Sequence, residues 1–278
     1  MIQLRYKNWQ ADILPEHGMN TVRLTCDGEH ILRDPAGTEN LETSCLHGTP
    51  LLLPPNRTEF GRFSFDGKEY QLPINEELRQ NHLHGFLRFQ PFSVTEQSEI
   101  HAVAEYENKG DIFPFPFGIR VTCRLDEKGY HQEFAITNTG NTDMPLAFGI
   151  HSNFEEKDHF RIPLEKQYII NERCIPVGEP AELDQRQKQY RDGMKPDGKD
   201  IDGFYTSGGN AARIGRMEYR VSENFNQWIL YNRGGDQGFI SIEPQCGAVN
   251  CLNNGRGLLR LASGKTEIFC TLIRIAEN

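Results

Sequence analysis

The chain has 278 residues, with 30 Lys and Arg against 39 Asp and Glu, a formal charge of −9 at pH 7. Hydrophobic residues make up 37% and charged residues 25%, a balance that excludes a membrane protein and does not suggest a disordered chain. The acidic excess, with no run of Lys or Arg, argues against nucleic acid as a partner.

All-β folds often run to about 200–250 residues as one unit, so a single domain over 1–278 is the expectation. The start, Met1-Ile2-Gln3-Leu4-Arg5, has no basic stretch followed by an apolar one, which predicts no secretory signal. No window approaches the roughly 18 apolar residues of a membrane helix, so no membrane partner is expected. Cysteines number seven, an odd count, and the close pair Cys246 and Cys251 lacks zinc-knuckle spacing. Reduced thiols in a cytoplasmic protein, monomer or homodimer, are the expectation. The glycosylation-like Asn56-Arg57-Thr58 is then a coincidence.

In chain order, Arg62 to Phe65, then Asp66-Gly67, then Tyr70 and Leu72 read as a hairpin. Asn75 to Asn81 reads as one or two helical turns. From Ile119 to Leu125 every odd residue is apolar, Asp126-Glu127-Lys128-Gly129 turns the chain, and Tyr130 to Ile136 alternates again. That is a second hairpin. Ala181 to Arg191 is polar, a short surface helix or a loop, and Asp192 to Asp202 is a loop. Trp228 to Tyr231 reads as a buried strand, Phe239 to Glu243 as a strand stopped by Pro244, and Glu267 to Ile275 as the closing strand. Many short strands between turn signals predict an all-β sandwich or barrel.

Several stretches carry polar groups in apolar or turn-rich surroundings. Asn56-Arg57 offers an amide and a guanidinium fork for hydroxyl or carboxylate oxygens, or an Arg paired with a core-edge carboxylate. In His82-Leu83-His84, strand alternation lets only one histidine face a given pocket, and a metal reading needs a third ligand from afar. His151, between Ile150 and Ser152, is either a satisfied core histidine or a general acid titrating near neutrality. Glu243 shares a strand face with Phe239 and Ser241. Partial desolvation there raises a carboxyl pKa, which suits a general base, against the alternative of a solvated strand-end Glu. Asp202-Gly203 reads as an ordinary turn. Walker A, dinucleotide-binding and G-x-S-x-G patterns are absent.

Taken in order, Asn56-Arg57, Gly61 to Pro73, Asn81-x-Leu83-His84-Gly85, Gly149-Ile150-His151-Ser152-x-Phe154, Asp202-x-Phe204 and Glu243-x-Gln245 resemble the aldose 1-epimerase (galactose mutarotase) family. The resemblance spans about residues 54 to 250. It implies a large antiparallel β-sandwich, the galactose mutarotase-like supersandwich, acting on a free sugar without a metal or organic cofactor. It implies Glu243 as base and His151 as acid, with Asn56, Arg57, His84 and Asp202 holding sugar oxygens. A free Glu is ionised at pH 7 and a free His partly protonated; with one on each side of the sugar, the hemiacetal would open and reclose as the other anomer.

The chain is shorter than typical members. Phe86 stands where many members carry a second Gly, and Asn153 where they often carry Tyr. His84 to Arg88 and the Phe113-Pro114-Phe115-Pro116-Phe117 run look more like hexose-6-phosphate 1-epimerases, in which case Arg62 or Arg88 would meet a phosphate as a fork. A non-catalytic carbohydrate-binding protein of the same fold is the remaining alternative.

Overall fold

The computed structural model describes residues 1–35 and 37–277. Two eight-stranded sheets dominate it. The first runs, in spatial order, Ser93–Gln97, His101–Asn108, Phe117–Asp126, Gly129–Asn138, Thr266–Ile275, Met217–Val221, Ala211–Ile214 and Phe160–Arg161. The second runs Ala181–Glu182, Leu164–Gln167, Asp202–Ser207, Gln227–Tyr231, Phe239–Cys246, Phe148–Ile150 and Leu51–Leu52, with Asn153–Glu155 also paired to Phe239–Cys246. Neighbouring strands are antiparallel. A four-stranded N-terminal sheet, Ile2–Tyr6, Trp9–Leu14, Asn20–Cys26 and Glu29–His30, contributes to the same hydrophobic core.

The sheets meet through aromatic side chains. Phe134 and Phe269 lie opposite each other in the first sheet, and Phe148 of the second packs 5.3 and 5.1 Å from them, centroid to centroid. Tyr219 bridges likewise to Phe154 at 5.3 Å and Trp228 at 6.3 Å. Each buried Phe removes enough apolar surface from water to contribute about 1.5–3 kcal/mol. Alternation places Phe134 inward and Glu133 outward on one strand, and Ile119 and Val121 inward with Arg120 and Arg124 outward on its neighbour.

Both expected hairpins form, as Phe117–Asp126 with Gly129–Asn138 and as Arg62–Phe65 with Lys68–Gln71. The closing strand and the strand around Trp228 form as well. Asn75 to Asn81 holds a single 3-10 turn, Glu77–Arg79. Gln185–Asp192 is a helix, started by an Asp184 and Gln187 capping box.

Two expectations are corrected. Asp202-Gly203 opens the strand Asp202–Ser207 instead of forming a turn, because residues 202–206 find antiparallel partners in Gln227–Tyr231. Pro244 does not stop its strand, which continues to Cys246. The Ile242 N–H points toward Ser152, so by alternation the missing Pro244 donor faces the same flank. There the partner strand is interrupted between Ile150 and Asn153, and little ladder is lost. All seven cysteines are free. No helix among the described residues is long and apolar enough to cross a membrane.

Candidate active site

The interruption at Pro244 creates the centre of the site. Gly149 stands opposite Gln245, and Asn153 opposite Ser241. The same register sets His151 opposite Glu243, in a position without backbone pairing, where antiparallel side chains come closest. The His151 N–H turns the other way, to the Pro50 carbonyl at 2.9 Å. His151 Nε2 then lies 3.2 Å from Glu243 Oε1, with the two side chains only 4% and 2% exposed.

A polar chain extends from this pair along the sheet face. The Gln245 amide donates to Glu243 Oε2 at 3.2 Å. On the far side of the imidazole, His151 Nδ1 meets Asn153 Oδ1 at 3.1 Å, and Ser241 Oγ donates to the same oxygen at 2.7 Å. Asn153 Nδ2 donates to the carbonyls of Cys45, Gly48 and His151 at 2.8, 3.1 and 2.7 Å. The amide orientation is therefore set, and Oδ1 accepts the His151 Nδ1 proton. The other ring nitrogen is left for Glu243 and the cavity. Gly149 permits the approach: a Cβ there would sit 2.8 Å from Gln245 Cγ and 3.0 Å from Pro55 Cβ.

Burial changes the electrostatics expected of free side chains. It pushes Glu243 up to about 7, against the pull of His151. It pushes His151 below its ordinary value, against the pull of Glu243. Each charged form is disfavoured alone, and the pair holds one proton across the Nε2–Oε1 contact. Two expectations are corrected here. Glu243 is not a simple ionised carboxylate at pH 7, because water no longer solvates its charge. The two groups also stand side by side, not on opposite sides of a ligand.

The other four residues singled out from sequence line the same cavity, of about 460 Å³. Asn56 and His84 both have left-handed backbones, φ 54° and 64°, which turn their side chains inward from the short ladder Arg57–Glu59 with Asn81–Leu83. They lock together: the His84 N–H donates to the Asn56 carbonyl at 2.9 Å, and the Asn56 N–H donates to His84 Nδ1 at 3.2 Å. His84 Nδ1 is thus an acceptor, and the proton of the neutral ring sits on Nε2. Burial and the neighbouring His151 hold His84 well below its ordinary pKa, so it serves as a fixed neutral donor. His82, whose Nδ1 lies 2.8 Å from the Pro73 carbonyl, does not line the cavity.

Arg57 fits both of its readings. It lines the cavity, and its guanidinium grips Glu76, Nη2 to Oε1 at 2.9 Å and Nε to Oε2 at 2.9 Å. Asn81 and Arg79 hold the same carboxylate. Asp202 stands at the rim, where the strand Asp202–Ser207 begins, and Phe204, Ile229 and Tyr231 form an apolar wall. Arg62 lies elsewhere, on the surface against Gln71. Arg88 does line the cavity. Glu76, Arg79, Cys45 and the anchoring role of Asn153 had no sequence signal, because each acts through a partner distant in the chain.

Cys45, His84 and His151 bring one possible metal-ligand atom each within 4.8 Å of one another. Since the His84 proton is on Nε2, that nitrogen offers no lone pair to a cation, and the donor set does not suit a metal ion.

The family model described as aldose 1-epimerase matches residues 3–267. The uncharacterised Escherichia coli protein YihR is 26% identical over 89% of this chain and 84% of its own length. A galactose mutarotase-like protein from Clostridium acetobutylicum superposes with a TM-score of 0.90 at 24% identity, covering 99% of this chain and 95% of that one. A putative aldose 1-epimerase from Escherichia coli gives 0.87 at 17% identity, covering 100% and 99%. Galactose 1-epimerase from Lactobacillus acidophilus gives 0.78 at 16% identity, covering 99% and 94%. With an antiparallel β-sandwich of this kind and a family match along nearly its whole length, the chain belongs to the aldose 1-epimerase family.

Proposed function

We propose that the protein interconverts the α and β anomers of an aldohexose, with Glu243 as base and His151 as acid. The observation that carries this reading is the buried 3.2 Å contact between His151 Nε2 and Glu243 Oε1 in a cavity of about 460 Å³, within the usual size range of small-molecule sites. A solely structural ion pair has no need to face such a cavity, and burying one is costly.

Anomerisation needs two proton transfers at one carbon. The anomeric hydroxyl loses a proton and the ring oxygen gains one, so the C1–O5 bond breaks and an aldehyde forms. Both oxygens are bonded to C1, so a base and an acid standing side by side can reach them together. With the shared proton on His151 Nε2 and Glu243 ionised, Glu243 takes the hydroxyl proton, and His151 delivers its Nε2 proton to the ring oxygen. Rotation about C1–C2 presents the other aldehyde face. Reclosure returns the protons to their starting groups with the opposite configuration. The Nδ1 bond to Asn153 holds Nε2 on the reacting side throughout. Each such group contributes about 10²–10⁴ in rate.

His84 Nε2–H, Asn56, Arg57 and Asp202 hold sugar oxygens in this reading, and the wall of Phe204, Ile229 and Tyr231 takes an apolar face of the ring. The name of the Lactobacillus acidophilus neighbour makes galactose a first probe, with glucose beside it. The test is ¹H NMR saturation transfer between the two anomeric H1 signals at neutral pH. Transfer above the enzyme-free rate supports the reading. Its absence with galactose, glucose and their charged derivatives defeats it.

A further inference from the structure

Three arginines line the cavity, Arg57, Arg79 and Arg88. Arg57 and Arg79 share Glu76, at 2.9 and 3.2 Å, and Asp202 is close enough for both to act on its charge. Glu243 is matched by His151. These groups balance, and Arg88 is left over. Among the described residues no carboxylate lies within ion-pair distance of it, and its buried Nε and Nη1 have no hydrogen-bond partner. Its guanidinium lies 4.1 Å from the Phe89 ring centroid, which steadies the side chain and leaves the charge uncompensated. The nearby Cys45 thiol is held neutral by burial. An Arg keeps its charge in such a place, so the cavity wall carries an unmatched cation.

Its location says which part of a sugar it would meet. Arg88 is close enough to His84 and His151 for its charge to oppose protonation of both. In the reaction above His151 faces the ring oxygen. That oxygen is bonded to C5, and C5 carries C6. Arg88 is among the charges that act on His151 but not among those that act on Glu243, so a sugar with C1 toward Glu243 and its ring oxygen at His151 can turn its C6 substituent to Arg88.

We propose that Arg88 binds an oxyanion on C6, making the preferred substrate class an aldohexose with a carboxylate, phosphate or sulfonate there. This rests on the acid–base reading of Glu243 and His151. A guanidinium fork matches the paired oxygens of such groups. The substrate's charge also cancels the opposition of Arg88 to a protonated His151, so an anionic sugar helps arm the acid that opens it.

The test compares D-glucose, D-glucuronate and D-glucose 6-phosphate by NMR exchange, with enzyme-free rates subtracted, in wild type, Arg88→Gln and Arg88→Lys. In wild type kcat/KM for at least one anionic sugar exceeds that for glucose by about tenfold or more. Arg88→Gln brings this ratio toward one, and Arg88→Lys recovers part of it, which separates charge from folding. Preference for glucuronate, for glucose 6-phosphate or for both supports the proposal and identifies the oxyanion. A wild-type ratio at or below one, or a ratio unchanged in Arg88→Gln, overturns it while leaving the epimerase reading intact. If no sugar is interconverted, the epimerase reading fails, and calorimetry decides on Arg88 separately: anionic sugars bound no more tightly by wild type than by Arg88→Gln overturn it.

Discussion

His151 and Glu243 stand directly across from each other between two antiparallel strands, Nε2 to Oε1 at 3.2 Å, at the point where Pro244 and the interrupted partner strand open the ladder. Their closeness follows from register. Gly149 opposite Gln245 and Asn153 opposite Ser241 leave no other place for His151. The arrangement yields a single shared proton, and the expected behaviour of the protein follows from where that proton goes.

The pH profile of kcat/KM is the first consequence. With Glu243 pushed up to about 7 and His151 pushed down, the one-proton pair persists from the depressed His151 value up to about 7. Above that the shared proton leaves and no acid remains, so the rate falls tenfold per pH unit. Below the depressed His151 value a second proton arrives and no base remains. kcat/KM reports these free-enzyme ionisations. A profile flat through pH 9 contradicts the shared proton.

Asn153 governs the imidazole without reaching the sugar. Asn153→Leu removes the acceptor for His151 Nδ1 and Ser241 Oγ and the side-chain donor to three carbonyls, of which only that of Gly48 keeps a backbone donor. We expect kcat to fall by tenfold or more, with KM changed less, and stability to drop by about 2–4 kcal/mol. Steady-state kinetics with urea unfolding check both. An unchanged kcat would show that His151 is oriented by something else.

Gly85 sets the wall beside His84. Its φ is +61°, and an added Cβ would lie 2.0 Å from the Leu53 carbonyl oxygen. Gly85→Ala must displace either the Leu53 to Asn56 segment or His84, at a cost of about 3 kcal/mol or more from clash and strain together. Thermal melting measures it, and a melting temperature within a degree of wild type would sink the prediction.

Glu243 costs stability at alkaline pH. Its folded value, about 7, lies above its ordinary 4.5, so the folded state holds the proton more tightly. That contribution is full below about 4.5 and is lost as pH rises through about 7. Glu243→Gln removes the titration. The variant therefore gains on wild type between pH 5 and 8. Urea unfolding at both pH values tests the sign, and a variant that loses ground at pH 8 has it reversed.

Local patterning carried far into the fold. The hairpin around Asp126 to Gly129 was legible because alternation and turn chemistry agree over Ile119 to Ile136. The polar residues that line the cavity were legible because each interrupts an apolar or turn-rich stretch. The N-terminal sheet is not legible, since its strands Ile2–Tyr6 and Trp9–Leu14 are joined by too weak a turn signal at Lys7-Asn8. Pro244 misled because a proline in a strand reads as a stop, whereas its missing donor faces a flank that is already open. The raised Glu243 pKa, the Glu76 clamp on Arg57 and the unpaired Arg88 arise from burial and from partners far along the chain. No local pattern contains them.

The most direct measurement is polarimetry of freshly dissolved sugar, galactose, glucose and a C6-anionic derivative, with wild type beside Glu243→Gln at pH 7. The account predicts faster relaxation with wild type and a loss of about 10²–10⁴ in the variant, with the fold intact by circular dichroism. A Glu243→Gln protein that relaxes sugars as fast as wild type would contradict it.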